Sequence, residues 1–209
     1  MREINLQFVI GYGLPGSGKT TELKRLLESA KFDAKRKGKM GTTTLEIIDI
    51  DSIVTSNTTQ EKKDKEIDRK LDVSWCTGVR TTDANIYVDG LFTTNDDLIN
   101  IISRIKKCNE DYSNIKITVV SWNEDREACI WNDEGRRNST SRATIENLPY
   151  EIPNTKMIET AVGQKIAIIR KIVIRKPKYF KDCYFKGLSI SDNKYLHSSM
   201  WRTGGVICS

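Results

Sequence analysis

INLQFVIGYGLPGSGKTTELKRLLESAK, residues 4–31, is the stretch whose reading decides the fold. Its opening residues are apolar, β-branched and aromatic, and they run into a glycine-rich turn. Leu23, Leu26, Leu27 and Ala30 then recur at helical spacing. Strand, loop and helix therefore frame Gly13-Leu14-Pro15-Gly16-Ser17-Gly18-Lys19-Thr20, which satisfies G-x-x-x-x-G-K-[ST] in the context that the motif requires. A loop of this kind turns several amide N–H groups inward beside the positive end of a helix, and so forms an anion cradle. The expected phosphate-binding set is Gly13, Pro15, Gly16, Ser17, Gly18, Lys19, Thr20 and Thr21. Lys19 is expected to reach the β- and γ-phosphates of a nucleotide and the Thr20 hydroxyl to ligate Mg²⁺.

Working outward, TLEIIDI (44–50), NIYVDG (85–90) and IKITVVSW (115–122) read as further strands, and NDDLINIISRIKKC (95–108) as an amphipathic helix with Asn95 or Asp96 as its cap. Residues 58–72 are so polar that they read as a solvated helix or a loop. Strands alternating with helices predict an α/β fold with a parallel sheet, three layers deep, and a ligand site at the carboxyl edge of the strands. The glycine loop, the Asp49/Asp51 pair and Asp89 all fall at that edge. Asp51 is placed to take the proton of an incoming hydroxyl, or to cap the helix that follows, and Asp49 is open to the same work. Asp89, after an apolar strand, is placed to hold Mg²⁺ directly or through water.

Asp125–Arg137 reads as a charged helix in the position of a lid, about residues 122–145. Arg126 and Arg136 or Arg137 there suit charge neutralisation at a transferring phosphoryl group or stacking on a base; ordinary surface pairs with neighbouring acids explain the same residues. The stretch 138–154, with Pro149 and Pro153, reads as irregular.

The last third changes character. Net charge is +6 over 209 residues, and residues 165–186 alone hold eight basic side chains against Asp182. Apolar and basic residues alternate there, which predicts a small basic β-rich extension, 151–209, following a kinase-like domain at 1–150. It is expected either as an appendage or as an antiparallel continuation of the sheet. Concentrated positive charge with Tyr179, Phe180, Tyr184 and Phe185 interleaved points to a nucleic-acid backbone; an edge strand guarded by lysines has the same pattern. His197, Trp201 and Arg202 offer a further acceptor-side cluster. No apolar run approaches membrane-spanning length and no secretory layout opens the chain, so a cytoplasmic protein is expected. The five cysteines form no C-x-x-C pair, which argues against a zinc site or a disulfide framework.

With these pieces in place the chain resembles the phage polynucleotide kinase group of phosphotransferases. GLPGSGKTT resembles that group's phosphate loop, IIDIDS its second-strand ending, YVDGLFTTNDDL its second acidic strand end and VVSWNEDREACIWNDEGRR its lid. The resemblance implies a P-loop kinase that uses ATP and Mg²⁺, with Asp51 activating the acceptor, Asp89 beside acceptor and metal, and Arg136 touching phosphate. Within the group, TIENLPYE followed by a basic β tail looks most like the 5-hydroxymethyluracil DNA kinases, which implies DNA as substrate. A polynucleotide 5′-hydroxyl kinase, a small-molecule kinase and a nucleotide-dependent switch are the alternatives.

Overall fold

The computed structural model describes residues 4–56, 59–75, 81–134 and 139–175. The chain divides into a unit Met1–Ile174, which holds every element below, and a second unit Arg175–Ser209.

The opening strand β1 (Asn5–Tyr12) is buried along most of its length because it lies in the middle of a five-stranded sheet. It passes through the glycine loop into α1 (Lys19–Arg36). Then follow β2 (Thr43–Asp49), α2 (Ile50–Ser56), α3 (Gln60–Leu71), β3 (Asp83–Asp89), α4 (Asn95–Cys108) and β4 (Ile115–Trp122). The last described elements are α5 (Arg126–Asp133), α6 (Arg142–Asn147), α7 (Thr155–Val162) and β5 (Ile166–Lys171). Strand order is β2-β3-β1-β4-β5, and every pairing is parallel.

That order positions the site. The chain leaving β1 crosses β3 to reach β2, whereas the chain leaving β3 crosses β1 in the opposite direction to reach β4. With right-handed crossovers the two connections pass over opposite faces, and the crevice between their starts opens above the β1/β3 boundary. Packing agrees. On one face Leu6, Phe8, Ile10, Ile86 and Val119 meet apolar residues of α3, α4 and α7. On the other, Val9, Tyr87, Val120 and Trp122 meet α1, α5 and α6. The result is a three-layer α/β architecture.

Three details depart from the sequence reading. The α4 cap is Thr94, whose hydroxyl accepts from the Asp97 amide while Asp97 accepts from the Thr94 amide, a reciprocal box that outcompetes Asn95 and Asp96. Residues 166–171, expected to open an appended or antiparallel tail, form the fifth parallel strand; α7 supplies the crossover from β4 that a parallel neighbour needs. The stretch 138–154, expected to be irregular, contains α6, whose Ser141 cap accepts from the Thr144 amide. Residues 176–209, with the four aromatic residues, His197, Trp201 and Arg202, lie outside the described residues.

Candidate functional site

The loop between β1 and α1 is tied to its neighbours at the carboxyl edge. Gly13 donates its amide to the Phe92 carbonyl at 2.9 Å, which joins this loop to the one leaving β3. Beneath that seam the buried Tyr12 hydroxyl donates toward the carbonyls of Thr93 and Glu151. Burial and the nearby Tyr150 push its pKa up, so it stays a neutral donor.

Gly18 caps α1 in the left-handed region at φ 101°, and no side chain caps the first turn. The positive end of this 18-residue helix, with no side-chain cap across it, is therefore suited to an anion. The Ser17 hydroxyl oxygen is buried, in a residue only 5% exposed, and has no hydrogen-bond partner among the described residues. A buried hydroxyl left unpaired is unfavourable, and an arriving acceptor oxygen would remove that penalty. Lys19, 8% exposed, folds back over the loop and donates to the carbonyls of Gly13 at 2.5 Å and Leu14 at 3.0 Å. Thr20 is half-buried in the first turn of α1, Thr21 is exposed beside it, and Pro15 is half-buried in the loop.

The helix α5, expected as a lid, forms a wall. Ala128, Cys129, Ile130, Asn132 and Asp133 are all buried. The Cys129 carbonyl lies so close to the Cα of Gly16 that a methyl group there would overlap it. Gly16 is thus required twice, by its φ of 80° and by the backbone pressed against it. Asn132 donates to the Gly16 carbonyl at 3.2 Å and to the Ile174 carbonyl at 2.9 Å, so one amide ties the loop to the chain leaving β5. The polar spelling of this helix hid that role, although Asp125 capping it through the Ala128 amide was legible as its start. The Cys129 thiol is pushed up to about 11 by burial, which keeps it protonated and unsuited as a nucleophile.

The Arg126 guanidinium is engaged within the protein. It donates to the carbonyls of Ile145, Glu146 and Leu148 and to the Glu124 carboxylate, at 2.6–3.0 Å, fastening the end of α6 to the start of α5. Arg136 and Arg137 lie outside the described residues.

On the other side of the loop three carboxylates gather. Asp49 and Asp89 end adjacent strands and face each other in register. Asp49 accepts from the Ser52 amide at 2.9 Å and so caps α2, the role that the sequence left open for Asp51. Asp51, in the first turn of α2, accepts instead from the Leu91 amide at 3.0 Å. Asp51 is exposed as a residue, yet desolvation of its carboxyl raises the pKa; the Leu91 amide and the Lys19 ammonium pull it down, and the charges of Asp49 and Asp89 add to the rise. The Lys19 ammonium thus favours the charged form of Asp51. Asp89 is 7% exposed and makes no side-chain hydrogen bond among the described residues.

Of the basic segment, Lys165, Arg170 and Arg175 are exposed, while Lys171 donates to Glu22 in the first turn of α1 at 2.6 Å. Bonds from Arg25, then from Lys171, hold the Glu22 carboxyl at about 2. Among the described residues no three His, Cys, Asp or Glu side chains group to hold a metal. One carboxylate and one hydroxyl suffice for Mg²⁺, which keeps most of its shell from water and phosphate oxygens.

Fold and site together define a parallel α/β protein with a phosphate-type loop at the switch point of its sheet. No family profile and no curated protein matches the chain. Among solved structures it is similar to APE1195, with a TM-score of 0.46 and 17% identity over 94% of this chain and 95% of that one. It is also similar to a structure from the PezAT chromosomal toxin-antitoxin system of Streptococcus pneumoniae, with a TM-score of 0.37 and 14% identity over 94% of this chain and 85% of that one. Likenesses this distant carry no argument about function, and the fold rests on the strand order itself. Among the described residues no helix is long and apolar enough to cross a membrane.

Proposed function

We propose that the protein is an ATP-dependent phosphotransferase whose acceptor is an alcohol. The observation that carries this reading is the pairing of a phosphate-type loop, whose buried Ser17 hydroxyl has no partner among the described residues, with a carboxyl group, Asp51, under the influence of Lys19. A nucleotide-dependent switch needs the cradle; it has no use for a proton acceptor of raised pKa beside it.

In this reading the loop amides, Ser17 and Lys19 bind the phosphates, with Lys19 exchanging its bonds to the Gly13 and Leu14 carbonyls for phosphate oxygens. Thr20 and Asp89 are the residues that would hold Mg²⁺, which when bound neutralises charge on the β- and γ-phosphates. Asp51, held by the Leu91 amide, orients the acceptor hydroxyl and takes its proton. One bond forms, acceptor oxygen to phosphorus, and one breaks, phosphorus to the β–γ bridging oxygen, which departs with its electron pair as ADP. No covalent enzyme intermediate is needed, since positioning and electrostatics account for this class of reaction. Arg126 serves by holding α6 on α5, and Arg136 is the arginine proposed for the transferring group.

The acceptor we favour is a hydroxyl on DNA, in particular the hydroxymethyl group of 5-hydroxymethyluracil. It is supported by the resemblance to that kinase group and by the basic composition of residues 165–186. The test is transfer of label from γ-labelled ATP to oligonucleotides containing 5-hydroxymethyluracil, to matched oligonucleotides with only a free 5′-hydroxyl, and to free nucleosides. Label inside the modified strand is expected. Label confined to strand ends would make it a 5′-hydroxyl kinase, and no label in any of them would reject the reading.

A further inference from the structure

The face of the sheet that α1 covers changes character along the strands. Near their carboxyl ends it is apolar, with Val9, Tyr87 and Val120 in one core cluster with Leu23 and Leu27. Toward the amino ends the same face turns polar. Gln7 stands in register with Asn85 on β3 and with Lys116 on β4, so three polar side chains form one row across the middle of a parallel sheet. Asn5 and Asp83 make the next row out. Strands in the middle of such sheets are ordinarily apolar on both faces. The helix follows the same change: its sheet-facing side chains shrink from Leu23 and Leu27 to Ala30 and Ala34, which leaves space over the polar rows.

That space is a cleft of about 430 Å³ between the end of α1 and the amino edge of the sheet, a volume in the range of small-molecule sites. Its floor carries the half-buried carboxamides of Gln7 and Asn85, which make no side-chain hydrogen bond among the described residues. Three lysines border it: Lys37 from the helix end, Lys39 from the turn that follows and Lys116 from the sheet. Two carboxylates border it as well, and both are engaged. Asp83 accepts from Asn5 at 3.0 Å and Thr82 at 3.1 Å and pairs with Lys39 at 3.6 Å, while Asp33 pairs with Arg36 at 3.5 Å. The lining therefore joins a hydrogen-bonding floor to a positive rim. Gln7 lies six residues before Gly13, about 20 Å away along the strand, so this cleft is separate from the site at the other edge.

We propose that this cleft is a second ligand site and that its ligand is a nucleoside monophosphate. Carboxamides on neighbouring strands, each with a donor and an acceptor, match the mixed hydrogen-bonding edge of a nucleobase. Lys37 and Lys116 supply charge-assisted hydrogen bonds to the phosphate. Ala30 and Ala34 give the base or the sugar an apolar wall. Because α1 runs from the phosphate loop to this cleft, the occupant rests on the helix that carries Lys19 and Thr20. The assignment does not depend on the phosphotransferase reading.

The experiment is a calorimetric titration of the full chain in the presence of Mg²⁺ and an excess of a non-hydrolysable ATP analogue, which keeps the phosphate loop occupied. AMP, GMP, CMP and UMP are titrated in turn, with their nucleosides and ribose 5-phosphate as comparisons. At least one monophosphate should bind, one molecule per chain, about tenfold more tightly than its nucleoside and than ribose 5-phosphate. Lys37→Glu combined with Lys116→Glu should weaken that binding by about tenfold or more, and Asn85→Leu by about fivefold. ATP-analogue affinity should stay within about twofold in both variants. The two lysines are exposed, so the double variant should keep its urea midpoint, which confirms that any lost binding is local. Four results overturn the proposal: no monophosphate binding to the loaded protein, binding that more ATP analogue displaces, binding left intact in either variant, or ribose 5-phosphate bound as tightly as the nucleotide.

Discussion

Replacing Gly16 by alanine puts the loop's packing to the test. Gly16 has a φ of 80°, and a methyl group on it would run into the Cys129 carbonyl. Holding an L-residue in that left-handed conformation costs about 1 kcal/mol. Forcing α5 away from the loop costs about 1–3 kcal/mol in lost packing. The Asn132 bond to the Gly16 carbonyl, 3.2 Å long, is strained or broken in the process, for about another 1 kcal/mol. The sum is about 3–5 kcal/mol. Gly18→Ala is the control, since Gly18 also has positive φ, 101°, but nothing lies within 4 Å of the added methyl. It should lose only about 1 kcal/mol. Urea unfolding of both variants, read from midpoints at constant slope, should separate them by at least about 2 kcal/mol. Equal losses, or a Gly16→Ala loss below about 1 kcal/mol, would refute the claim that α5 is a wall built against the loop.

Other outcomes follow from single contacts. Ser17→Ala removes a buried hydroxyl that has no partner among the described residues; it should raise the stability of the nucleotide-free protein by about 0.5–1.5 kcal/mol and shrink the thermal shift given by ATP. Tyr12→Phe leaves the Glu151 carbonyl without its tyrosine donor, while the Thr93 carbonyl keeps the Glu151 amide, and should cost about 1–2 kcal/mol, seen as a lower urea midpoint. Glu22 has its pKa lowered from 4.5 to about 2, so its stabilisation is complete above 4.5 and disappears as pH falls toward 2. The shift alone corresponds to about 3 kcal/mol, which the exposure of Arg25 screens to about 1–2 kcal/mol. Glu22→Gln should accordingly be less stable than wild type at pH 6 by that amount and converge with it near pH 2, in denaturation measured at both pH values.

How far the residues announce this arrangement varies along the chain. The strand, loop and helix around Lys19 are legible because the motif, the apolar run and the leucine spacing agree. Ile115–Trp122 emerges as a strand over the bounds expected from its apolar run. The switch between Asp49 and Asp51 is invisible in Asp-Ile-Asp-Ser, since either aspartate suits a helix start; only the Leu91 amide, forty residues away, decides which one turns to the crevice. The wall formed by α5 is hidden for a similar reason. Asp133 reads as an ordinary surface acid, whereas both Asn132 and Asp133 are buried and Asn132 bonds to the glycine loop more than a hundred positions earlier. The placement of residues 166–171 depends on α7, whose eight residues carry too little periodicity to compete with the alternating basic pattern beside them.

The account turns on Asp51 acting on an acceptor while the loop holds the donor, and Asp51→Asn examines that division of labour directly. The asparagine oxygen still accepts from Leu91, and because the Asp51 pKa is raised, the charged carboxylate weakens the fold as pH rises. The variant should therefore be at least as stable as wild type at neutral pH. In single-turnover transfer from γ-labelled ATP, with ATP affinity measured on the same samples, transfer should fall by about a hundredfold or more and affinity should stay within about twofold. Undiminished transfer by Asp51→Asn, or loss of ATP binding in its place, would contradict the account.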